Sequence, residues 1–137
     1  MTTAHSDHRR VLARGTILTL GPYDSSPRTA RVSARAQMSE WGRTELADDV
    51  EAIVAELVTN AVRASEWPGT PIGFRLVLTA TSVIVQVYDQ ASGVPSPPAA
   101  GEDAESGRGL LLVAALSREW GWTPTPWGKV VWAEIAA

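Results

Sequence analysis

Val50-Glu51-Ala52-Ile53-Val54-Ala55-Glu56-Leu57-Val58-Thr59-Asn60-Ala61-Val62-Arg63 is the stretch on which the fold turns. Val50, Ile53, Val54, Leu57, Val58, Ala61 and Val62 recur at i, i+3, i+4 and i+7, the period of a helix with one buried stripe. The spacing predicts a helix over 46–64. Thr44 is its candidate cap, and Glu45, Asp48 and Asp49 sit at the positive end of its dipole. Trp67-Pro68-Gly69 ends the region. Glu56 and Asn60 lie four residues apart, on neighbouring turns of one face that is not the apolar one.

Upstream, Thr16-Ile17-Leu18-Thr19-Leu20 reads as a short strand ended by Gly21-Pro22. A helix follows over 27–41, with Ser26 as N-cap, Pro27 in the first turn and Gly42 as its stop. Residues 1–15 are polar and basic and read as a flexible tail, so the expected folded domain is a single one over 16–137. Downstream, 72–79 and 83–88 are rich in Leu, Val and Ile and form a hairpin across Ala80-Thr81-Ser82. Residues 90–106 carry Pro, Ser, Ala and Gly and read as a long loop. A short apolar helix over 110–117 starts beside Gly109, and two last strands, 120–123 and 130–135, flank a turn at 124–128. The order predicts an α/β (α+β) two-layer sandwich, with helices on one face of a mixed, mostly antiparallel sheet.

The 137 residues suit one domain, and the formal charge of −3 argues against direct nucleic-acid binding, whose footprint is a basic surplus. There is no cysteine, and the two histidines are His5 and His8, so thiolate sites, disulfides and a histidine-based centre in the body of the domain are excluded. No apolar run approaches the ~20 residues of a membrane span. Residues 1–15 hold no secretory h-region, so a cytoplasmic protein is expected.

Three places could carry chemistry. An Asn60 amide oxygen can ligate Mg²⁺, and Glu56, one turn away, can accept a proton; alone, the pair reads equally as a solvated helix face. Asp89 ends a strand, where a carboxylate can accept a hydrogen bond from an exocyclic amine such as that of adenine, or simply terminate the strand. Gly107-Arg108-Gly109 precedes a helix; glycines let the backbone approach a phosphate, helix-start amides bind it, and Arg108 adds positive charge. The pattern is neither a Walker A sequence nor a dinucleotide fingerprint.

Taken in order, these elements resemble the Bergerat-fold, GHKL-type ATPase superfamily, which includes gyrase and histidine kinases. Glu-Leu-Val-Thr-Asn-Ala-Val-Arg at 56–63, Ser-Gly-Arg-Gly-Leu-Leu-Leu-Val at 106–113 and Gly-Lys-Val-Val-Trp at 128–132 look like its bacterial anti-sigma factor serine kinase branch. The resemblance covers the chain from about residue 16 to its end. It implies ATP and Mg²⁺ as cofactors, Glu56 as general base and Asn60 as Mg²⁺ ligand. It further implies Asp89 as the adenine-binding residue, and Gly93, Gly107, Arg108 and Gly109 as nucleotide-binding residues. Three positions depart from the pattern. Ala91 stands where the family has Gly, with Gly93 further on; Ala64-Ser65 follows Arg63 in place of His; Lys129 replaces a Thr. The implied protein is an anti-sigma factor with serine/threonine protein kinase activity. It binds a sigma factor, phosphorylates an anti-anti-sigma (STAS-type) protein and forms a homodimer. The alternative is a weak or inactive nucleotide-binding module acting through protein–protein binding. Retained Glu56 favours the first; Ala91 and Lys129 favour the second.

Overall fold

In a computed structural model, residues 10–65, 70–90 and 104–137 are described, with backbone alone over 104–108. Strands β1 (Val11–Arg14), β2 (Leu18–Leu20), β3 (Ile72–Thr79), β4 (Ser82–Asp89), β5 (Glu119–Thr125) and β6 (Gly128–Ala136) form one sheet. Its order is β1-β3-β4-β6-β5, with β2 also on β3, and every pairing is antiparallel. Helices α1 (Ser26–Glu40), α2 (Ala47–Ala64) and α3 (Ala104–Leu116) pack on this sheet, which gives the expected α+β arrangement.

The periodicity of α2 is realised as burial. Ala47, Val50, Ile53, Val54, Leu57, Val58 and Ala61 are all buried. They meet Ile72, Phe74, Leu76 and Leu78 of β3, Val83, Val85 and Val87 of β4, and Val131, Ala133 and Ile135 of β6. Each strand contributes alternate residues, because successive side chains point to opposite faces of the sheet. Ala30, Ala34 and Met38 carry α1 into the same core. Small residues there let α1 approach α2 closely, and Arg35 of α1 bridges to Asp48 and Glu51 of α2.

The stop of α1 is the one read from the sequence. Gly42 has φ +69°, the left-handed region a glycine enters without strain. The Gly42 amide donates to the Ser39 carbonyl at 3.0 Å and the Arg43 amide to the Met38 carbonyl at 2.8 Å, which completes a Schellman cap.

Four expectations are corrected. Part of the expected tail is a strand: β1 pairs Val11 with Thr79, Ala13 with Leu78 and Arg14 with Val77, covering the half of the β3 edge that β2 leaves open. Ser26 is not the cap of α1. Ser25 holds that position without a side-chain bond, and the Ser26 hydroxyl donates to the Gly21 carbonyl at 2.6 Å. Thr44 opens a 3₁₀ turn, Thr44–Leu46, and Leu46 stands at the N-cap of α2. Finally, α3 begins at Ala104, so Gly107, Arg108 and Gly109 lie inside a helix and not before one. Glycine costs a helix only about 1 kcal/mol relative to Ala. Burial of Leu110 and Val113 against the core outweighs that preference.

Candidate nucleotide-binding site

The site residues fall in two groups. The first belongs to α2 and α3. Glu56 is half-buried at the edge of the α2 stripe, and Asn60 is half-buried one turn further on. Gly109 of α3 faces Glu56. A Cβ there would overlap the Glu56 Oε2 and lie 3.3 Å from its Cδ, so the missing side chain is what lets the carboxylate rest against α3. Glu56 also lines a groove of about 350 Å³ with Arg31, Arg35, Asp48, Glu51 and Leu112. In that groove hydrogen bonds from Arg35, first to Asp48 and then to Glu51, raise the guanidinium pKa further above its ordinary value.

The second group lies at the end of β4 and the start of β6. Asp89 continues the inward series Val83, Val85, Val87, and Lys129 continues the series Ile135, Ala133, Val131. The two are direct partners in the β4–β6 register. Lys129 Nζ donates to Asp89 Oδ1 at 2.9 Å, with side-chain exposures of only 7% and 4%. Gly128 makes this approach feasible: a Cβ there would collide with the Asp89 carbonyl oxygen and lie 2.6 Å from Gln90 Cα. Both charged residues line a cavity of about 440 Å³, together with Thr19, Pro71, Tyr88 and Trp127. That is within the range of small-molecule sites.

Glu56 and Gly109 are thus brought together, with Asn60 one turn further along α2, while Asp89 is paired with Lys129 across the β4–β6 register. Gly93 and Ala91 lie outside the described residues, as does the Arg108 side chain. Sequence reasoning noted Lys129 only as a departure from a pattern and missed its place beside Asp89. The signal was available: Lys129 has the same parity as Val131, Ala133 and Ile135, which puts it on the core side of an alternating strand.

The model of the histidine kinase-like ATPase domain matches residues 24–135, most of the chain. The chain belongs to that family. No curated protein matches it.

A histidine kinase-like ATPase domain binds ATP, usually with Mg²⁺, and the residues present suit both. Adenine's amine calls for a buried acceptor, and the Asp89 carboxylate is one. Among the described residues no cluster of three or more His, Cys, Asp or Glu side chains is placed to hold a metal. Mg²⁺ takes few ligands from protein and keeps waters and substrate phosphates, and the Asn60 amide offers one oxygen of the kind it binds. Among the described residues no helix of this ATPase domain is long and apolar enough to cross a membrane.

Proposed function

We propose that this histidine kinase-like ATPase domain is an anti-sigma factor that phosphorylates a serine or threonine of an anti-anti-sigma (STAS-type) protein. On this reading it also binds a sigma factor, works in the cytoplasm and forms a homodimer. The observation that carries the kinase reading is the seating of the Glu56 carboxylate against Gly109, one turn before Asn60. A domain that only binds nucleotide needs no base at that place. The branch rests on the likeness of 56–63 and 128–132 to that group of kinases.

ATP with its Mg²⁺ supplies an activated phosphoryl group whose charge the metal offsets. Asn60 would hold the metal through its amide oxygen. Asp89 accepts the hydrogen bond of the base amine. Glu56 accepts the proton of the substrate hydroxyl as the new oxygen–phosphorus bond forms and the bond to the departing ADP oxygen breaks. A base that acts only during transfer lowers the barrier without strengthening the ground-state complex.

Phosphorylation of a cognate anti-anti-sigma protein, measured beside ATP affinity, tests this. Glu56→Gln keeps size and helix propensity. It is expected to lower the transfer rate by about two to four powers of ten, with ATP affinity changed little. Equal rates for variant and wild type would remove Glu56 from the mechanism. The second reading, a binding module without transfer, draws support from the Lys129 ammonium on Asp89 and from the helical backbone at 107–109. It predicts ATP binding by the wild type with no phosphoryl transfer to any partner.

A further inference from the structure

Lys129 is the sole lysine in the sequence; the other 11 basic residues of the 12 are arginines. That one ammonium is buried, on the carboxylate that the nucleotide reading assigns to the base. Two features hold it there. The β4–β6 register sets Lys129 directly opposite Asp89, and Gly128 lets the start of β6 press against the Asp89 and Gln90 backbone. Removing one partner of such a pair strands a buried charge, while an apolar pair of equal volume is often as stable. Stability alone therefore does not account for a charged pair at the wall of a cavity.

We infer that Asp89 and Lys129 act together as a preassembled reader of a purine base, with Lys129 donating directly to the ring nitrogen N1 of adenine. This rests on the nucleotide-binding reading above and extends it to base recognition. The chemistry is complementary. The Watson–Crick edge of adenine presents an amine donor beside a ring-nitrogen acceptor, and proteins read such edges by hydrogen bonds. A carboxylate matches the donor. An ammonium matches the acceptor, with three N–H groups on a compact centre that can serve a carboxylate and a base at once.

The test compares ATP with 1-deaza-ATP, in which N1 is replaced by C–H, on the full chain and on Lys129→Met. In the wild type 1-deaza-ATP is expected to bind at least about tenfold more weakly than ATP, the loss of one charge-assisted hydrogen bond. In Lys129→Met the two nucleotides are expected to bind within about twofold of each other. Equal affinities in the wild type, or an unchanged ratio in the variant, overturns the inference. A second measurement needs no variant. Since Lys129 is the only lysine, its ¹⁵N ammonium resonance is assigned by composition. ATP should shift it, and 1-deaza-ATP at saturation should shift it clearly less. Identical shifts overturn the inference even if Lys129→Met does not fold. Failure of ATP itself to bind the wild type overturns the nucleotide-binding reading and this one with it; ATP binding without N1 dependence overturns this one alone.

Discussion

Asp89→Asn separates a charge effect from a ligand effect. It leaves the Lys129 ammonium at 7% side-chain exposure without its carboxylate. The expected destabilisation is about 3–5 kcal/mol by denaturant unfolding. Asp89→Asn combined with Lys129→Met strands neither charge and should recover most of that loss. If Asp89→Asn alone is neutral, the pair is not formed as described. At this scale the places of Glu56 and Asn60 on one helix and of Asp89 at the end of a strand were legible, because helix spacing and strand ends are local features. The partnership of Asp89 with Lys129 was not, since it spans 40 positions and depends on the register of two strands.

Within the elements, Gly109 is where helix propensity and site geometry oppose each other. Gly109→Ala adds up to about 1 kcal/mol of intrinsic helix stability. Its new Cβ also occupies the space of the Glu56 carboxylate and forces that side chain aside. We expect thermal stability to change by no more than a few degrees and phosphoryl transfer to fall about tenfold to a hundredfold, as misplacement of a reacting group by about 1 Å can do. Unchanged transfer would mean that Glu56 does not act from its place against α3. The body of α2 followed from periodicity, α1 from Pro27 at its start and Gly42 at its end, and β3 and β4 from runs of Leu, Val and Ile on either side of a short break. The start of α3 did not follow, because the glycines at 107 and 109 signal a turn locally and only the packing of Leu110 and Val113 makes helix the better state. Ser26 and Thr44 misled for a similar reason: each is a good cap by type, but Ser26 bonds to Gly21 and Thr44 enters a 3₁₀ turn.

Across the whole molecule, the layer arrangement was legible from the order of elements, but β1 was hidden by the polar, basic residues around it. Its four residues alternate too briefly to read as a strand, and it exists because β2 covers only one half of β3. Deleting residues 1–14 should therefore bare the edge of β3 from Val77 to Thr79. A loss of about 2 kcal/mol is expected from the missing ladder bonds, with a greater tendency to associate through the bared edge. Calorimetric melting and light scattering check this; an unchanged melt would restore the reading of a dispensable tail. The most direct test of the account as a whole is a calorimetric titration of the intact chain with Mg-ATP, run in parallel on Asn60→Ala, in which the helix is kept because Ala is the better helix former. Saturable binding is expected for the wild type, with clearly weaker, metal-insensitive binding for the variant. No heat at millimolar nucleotide in the wild type would contradict it.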